Sequence, residues 1–137
     1  MTRRYQIIDR VAALQEYRHI CTEVGWAEVM NFEAAAAALP RSLYGVVAVL
    51  DHQVVGMGRI VGDGAIFYYL QDVAVLPEHQ GLGLGTQIVD RLVTLVKTNA
   101  PEKAFFAVFA AEGTLPFYQR FGFDLHPALT GMFQVVR

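Results

Sequence analysis

From Val73 to Thr86 the chain reads Val-Ala-Val-Leu-Pro-Glu-His-Gln-Gly-Leu-Gly-Leu-Gly-Thr. Glycine stands at every second position from Gly81 to Gly85, where a β-branched run gives way to a helical pattern. Glycine allows unusual φ values and a close approach of the backbone to a ligand. The first N–H groups of a helix have no intrahelical partner, and the helix dipole favours an anion beside them. Together these features predict a cradle for a pyrophosphate built from backbone N–H groups, in a loop without Lys or Arg. A dinucleotide fingerprint fits poorly. Thr86 stands where the third glycine belongs, and Leu76 to Gln80 separate the strand end from Gly81. A P-loop needs a lysine after its last glycine, and Gly85-Thr86 has none. The plain alternative is a flexible turn.

Two further side chains are placed to move protons. Asp72 is the one carboxylate in the apolar run from Ile66 to Val75. Strict strand alternation puts Phe67, Tyr69, Gln71, Val73 and Val75 on one face, and Tyr68, Leu70, Asp72 and Ala74 on the other. Asp72 either handles a proton or pairs structurally with an arginine; the second reading is favoured, since a lone buried carboxylate usually has a partner. Phe117 and Phe121 share a helix face and read as core, whereas Tyr118 points elsewhere, either as a proton donor or as a packing residue. His79, beside the glycine loop, reads as a solvated loop residue, with help in removing a proton as the alternative. His19, His52 and His126 are scattered, without metal-ligand spacing, so no metal is expected. The lone cysteine, Cys21, reads as a small buried hydrophobe.

The elements that must position these groups follow from periodicity. Tyr5 to Ile8 predicts a short strand, and Asp9 a helix cap. Val11, Leu14, Tyr17, Cys21 and Val24 recur at helical spacing until Gly25. Asn31 caps a second helix that Pro40 stops. Tyr44–Leu50, Val54–Val61 and Ile66–Val75, joined by Asp51-His52-Gln53 and Gly62-Asp63-Gly64, predict an antiparallel meander. Ile88, Val89, Leu92, Leu95 and Val96 mark a long helix. A strand over Lys103–Phe109 then completes a parallel crossover. Thr114 caps a short helix ended by Gly122, and Phe123–Val136 is expected to return as one or two strands.

The 137 residues suit a single domain over 1–137. Hydrophobic residues make up 54% and charged ones 18%, enough to fill a core. A net charge of −2 speaks against nucleic-acid binding. One cysteine permits no internal disulfide. Arg3 and Arg4 are followed by no long apolar run, and no stretch reaches membrane-spanning length, so the expected setting is the cytoplasm, away from membranes.

Gln80-Gly81-Leu82-Gly83-Leu84-Gly85 resembles the Q/R-x-x-G-x-G/A signature of the GNAT superfamily of N-acetyltransferases, and Phe117-Tyr118-Gln119-Arg120-Phe121-Gly122-Phe123 resembles that family's F/L-Y-x-x-x-G-F pattern. Two motifs in the right order, one helix and one strand apart, make the resemblance specific; it covers at least Tyr44 to Asp124. It implies a mixed α/β fold: a mostly antiparallel sheet with a splayed parallel pair and flanking helices. It implies acetyl-CoA as acetyl donor, with Val73, Ala74 and Val75 along the pantetheine arm. Gln80, Gly81, Leu82, Gly83, Leu84, Gly85 and Thr86 would lie around the pyrophosphate. It makes Tyr118 the acid that protonates the leaving thiolate. The glutamate base of some relatives is absent, with Tyr69 in its place, and so is an asparagine near the cofactor, where Ala111 stands. The acceptor pocket would lie near Trp26 and Glu28. The acceptor is expected to be a small-molecule amine. A peptide or protein amine, or a non-catalytic acetyl-CoA sensor, is the alternative. A homodimer through the apolar end Met132–Val136 is expected.

Overall fold

The structure, a computed structural model, describes residues 4–137. Met1 to Arg3, where the segment read for a leader begins, lie outside the described residues. Apolar residues on alternate positions of the middle strands decide the layering. In β2 (Tyr44–Leu50), Val46 and Ala48 face one core and Val47 and Val49 the other. A strand buried on both sides needs a helical layer on each face. The five strands stand in the order β1-β2-β3-β4-β5. Strands β1 (Gln6–Ile8), β2, β3 (Gln53–Gly62) and β4 (Phe67–Val75) are antiparallel neighbours, and β5 (Phe105–Val108) runs parallel to β4. Helix α3 (Leu84–Asn99) buries Leu84, Ile88, Val89 and Leu92 against Val46, Val55, Ile60 and Leu70. Helix α1 (Leu14–Glu23) and helix α2 (Phe32–Ala38) cover the other face with Tyr17, Ile20, Cys21 and Ala35. Helix α4 (Leu115–Gln119) follows β5. This is the mixed α/β arrangement expected from the sequence.

The turns are made as their chemistry requires. Asp51 and His52 both take positive φ, 49° and 67°, which a tight hairpin of this hand needs. Asp63 Oδ1 accepts from the N–H groups of Ala65, Ile66 and Phe67 and closes the next turn. Asn31 Oδ1 accepts from Ala34 N at 2.9 Å and starts α2 as predicted. Gly58 lets α3 approach: a Cβ there would lie 2.8 Å from Ile88 Cγ2 and 2.9 Å from Leu92 Cδ1.

Two expectations are corrected. Asp9 does not cap α1, which begins at Leu14, five residues on; Glu16 accepts from Ala13 N instead. Asp9 pairs with Arg91 of α3, Nη2 to Oδ2 at 2.6 Å. Phe123–Val136 forms no ladder strand; its one bridge joins His126 and Leu129. Pro127 has no N–H to give to a ladder, and no described strand lies alongside to pair with the remainder.

Candidate active site

The site arises where two parallel strands separate. β4 pairs with β5 from Phe67↔Phe105 to Leu70↔Val108, then continues alone to Val75. The opening holds a cleft of about 540 Å³. Val73, Ala74 and Val75 form its floor, and Gly81, Gly83, Leu84, Gly85 and Thr86 one end. Phe117 and Tyr118 of α4 form a side, and Val24 and Trp26, just past α1, the opposite end. Residues 45 positions apart thus meet because α3 returns the chain to the sheet beside β4.

A bulge aims the floor. Met57 pairs with Ala74 and Arg59 with Gln71, so Gly58 stands opposite both Asp72 and Val73. The extra residue reverses the alternation: Tyr68, Leu70, Val73 and Val75 all pack toward α3, and Ala74 toward α1. Strict alternation therefore fails at Asp72, whose φ of 57° lies in the left-handed region. Aspartate is among the few non-glycine residues that enter it readily.

The structure does not bring Asp72 into the cleft. Its Oδ2 accepts from Arg59 Nε at 2.7 Å, and Arg59 Nη1 donates to Ser42 Oγ at 3.1 Å. Their side chains are 11% and 16% exposed. Burial, followed by the charge of Asp72, pushes the Tyr17 hydroxyl far above its ordinary range and keeps it neutral. Asp72 is thus the structural aspartate paired with an arginine, and it holds a left-handed backbone residue next to Val73.

The glycine loop takes the form the sequence asked for. Gly81 and Gly83 have φ of 76° and 82°, and Gly83 is the residue before α3. Gln80 Nε2 donates to the Val75 carbonyl at 2.9 Å, tying the loop to the strand end. Of the run from Gln80 to Thr86, only Leu82 does not line the cleft; its side chain is exposed. Among the described residues no Asp, Glu, Lys or Arg lines the cleft, so an anion there meets backbone N–H groups and the dipole of a 16-residue helix. Gly83→Ala places a side chain in empty space but at a left-handed φ, which costs about 1–2 kcal/mol. The expected result is a melting temperature lowered by roughly 3–7 °C, read by thermal unfolding.

Tyr118 lines the cleft, and burial raises its hydroxyl above the ordinary tyrosine value. Its ring meets Phe117 and Phe123 edge to face at 5.0 and 6.3 Å, which fixes its direction. Trp26 also reaches the cleft, whereas Glu28 is exposed outside it. Sequence reasoning missed Val24 and Thr114, and gave His79 as a solvated loop residue first where the structure puts it in the cleft wall. His79 lines the cleft and bonds through Nδ1 to the Tyr5 hydroxyl at 2.8 Å, a long-range contact that no local pattern signals. Val24 follows from the chain reversal after α1. Thr114 lines the cleft and donates from Oγ1 to the Ala111 carbonyl at 2.6 Å, so a hydroxyl stands close to the position where the relatives' asparagine is missing. Among the described residues no group of three His, Cys, Asp or Glu is placed to hold a metal, and no helix is long and apolar enough to cross a membrane.

Comparison with known proteins agrees with this geometry. The profile of the acetyltransferase (GNAT) family matches residues 11–123. An uncharacterised N-acetyltransferase of Prochlorococcus marinus is 31% identical over 86% of this chain, which spans 66% of that relative's length. A probable acetyltransferase of Staphylococcus aureus superposes with a TM-score of 0.87 at 25% identity, covering 97% of this chain and 100% of that one. A GNAT-family acetyltransferase of Streptococcus pneumoniae gives 0.77 at 28% identity, with 98% and 99% covered. With the family profile matched over residues 11–123 and the whole fold shared with two acetyltransferase structures, this chain belongs to the GNAT family of acetyltransferases.

Proposed function

We propose that this chain, acting as one domain, transfers the acetyl group of acetyl-CoA to a primary amine by direct attack in a ternary complex. The observation that carries the reading is the convergence on one cleft of the free edge Val73–Val75, the glycine loop and Tyr118. The pyrophosphate fits the uncharged loop of N–H groups at the start of α3. An extended pantetheine fits the open edge of β4 as an added strand. The neutral amine attacks the thioester carbonyl; the C–N bond forms, and an N–H at the bulge stabilises the oxyanion. The C–S bond then breaks, and Tyr118 gives its proton to the thiolate. The amine's proton leaves to water, from which Tyr118 is reprotonated. Among the described residues no carboxylate lines the cleft to take that proton directly.

Val24 and Trp26 form the acceptor end, an apolar wall with no counter-ion among the described residues. The acceptor is a small amine whose body tolerates that wall. Trp26→Ala is expected to raise the acceptor KM about tenfold and to leave the acetyl-CoA KM unchanged, as loss of uniform binding requires. The test of the function is amine-dependent release of free thiol from acetyl-CoA across small amines and short peptides. Turnover with small amines supports the reading; turnover confined to peptides would replace the acceptor class; none with either would leave a binding protein.

The protein's own thiol does not interfere. Cys21 is fully buried, and burial pushes its pKa up to about 11. It is expected to be silent toward a thiol reagent in the native protein and to react once on unfolding. Rapid native reaction would contradict the packing of α1.

A further inference from the structure

We infer that the His79 side chain is a phosphate ligand of the cofactor site, and that Tyr5, just before β1, sets its ring for that task. The inference rests on the acetyl-CoA reading above. His79 ends a one-turn 3₁₀ helix, Pro77–His79, between β4 and the glycine loop, and its backbone N–H donates to the Leu76 carbonyl at 2.9 Å. It is half-buried and lines the cleft. Of the described side chains in that lining, it is the only one able to carry a positive charge.

Its place selects the phosphate end rather than the reacting end. Gly81 is the second residue after His79, so their Cα atoms lie within about 7.6 Å. The acceptor end at Val24 and Trp26 is opposite. The neighbouring Gln80 amide is already committed, since it donates to the Val75 carbonyl. Glu78 is exposed and does not line the cleft, so it does not take the place of an anion there.

The ring is oriented, which a freely solvated loop residue would not be. Tyr5 and His79 meet edge to face at 5.7 Å, and the Tyr5 hydroxyl bonds to Nδ1 at 2.8 Å. Among the described residues nothing bonds to Nε2. When the Tyr5 O–H donates to Nδ1, the neutral ring must carry its proton on Nε2. The free nitrogen is then a donor, as a phosphate oxygen requires. The opposite arrangement in a neutral ring would turn a lone pair toward the anion. Tyr5 is thus a positioning residue, and the start of the chain becomes part of the cofactor site.

The test is calorimetric binding of acetyl-CoA to the full chain, with S-acetylpantetheine as competitor. That competitor is the same thioester arm without phosphates. His79→Ala is expected to weaken acetyl-CoA about tenfold, the weight of one hydrogen bond to a charged group, and to leave the inhibition constant of S-acetylpantetheine unchanged. Tyr5→Phe keeps the aromatic ring and loses the hydroxyl. It gives a smaller loss with the same selectivity, and the imidazole nitrogen chemical shifts of His79 move from the Nε2–H form toward a mixture of tautomers. Equal weakening of both ligands would make His79 a structural tie and overturn the inference, as would full acetyl-CoA affinity in His79→Ala. Either result leaves the acetyl-CoA site standing. A wild-type chain that binds no acetyl-CoA contradicts that site itself and takes this inference with it. If His79→Ala is unfolded at the assay temperature, the two ligands are compared on Tyr5→Phe, and equal or absent weakening there overturns the inference.

Discussion

Tyr118→Phe is expected to lower kcat by about 10²-fold or more, the usual weight of one positioned proton donor, and to leave acetyl-CoA binding within about twofold of wild type. The substitution removes one oxygen and keeps the ring that packs against Phe117 and Phe123. Among the described residues no side chain or backbone group bonds the Tyr118 hydroxyl, so little stability is lost with it. The pH profile carries the same signature. Burial holds the hydroxyl above its ordinary pKa of about 10. The donor form is therefore the protonated one at every neutral pH, and the loss of kcat due to Tyr118 begins only above about pH 10. An alkaline limb well below that value would belong to another group. Unchanged turnover in Tyr118→Phe would remove the residue from the reaction and turn attention to solvent as the acid.

Arg59→Met is expected to destabilise the fold by about 3 kcal/mol, since it strands the Asp72 carboxylate in a largely buried site. For a chain of this size that lowers the melting temperature by roughly 10 °C. Asp72→Asn should cost less, because asparagine also accepts a left-handed φ and keeps an oxygen for Arg59. Asp72→Ala loses both and should approach the Arg59 variant. The order Arg59→Met, Asp72→Ala, Asp72→Asn, from most to least damaging, distinguishes a structural pair from a general base. A base would lose most of its rate as Asp72→Asn with its stability nearly intact. Melting temperature and kcat measured on the same three variants decide between them.

The sequence made some of this plain because the signals are local. Glycine spacing, strand-to-helix succession and the Asn31 cap each depend on a few neighbouring residues, and the meander, the crossover and the loop at Gly81–Gly85 follow from them. Asp72 was ambiguous because a bulge cannot be seen in alternation. The strand pattern reads straight through Leu70 to Val75, and only the register against Met57 and Arg59 shows that one residue is extra. His79 and Tyr5 meet across 74 positions, which periodicity does not encode. The tail was misjudged for a related reason. Met132 to Val136 has the composition of a strand, but composition does not show whether a segment will pair, and here it joins no ladder. Glu28 had only its charge and its place in a connecting loop to recommend it, and neither fixes where a side chain points.

The central claim is that the cleft at the β4–β5 splay binds acetyl-CoA, and the most direct test is thermal unfolding with acetyl-CoA, NAD or ATP. At a free concentration a hundredfold above its dissociation constant, a ligand of the folded state adds about 2.7 kcal/mol. Acetyl-CoA is predicted to raise the melting temperature by roughly 9 °C under those conditions, with NAD and ATP giving little. An absent shift at saturating acetyl-CoA, in a folded protein shown by mass spectrometry to carry no bound CoA, would contradict the assignment of the glycine loop and with it the proposed reaction.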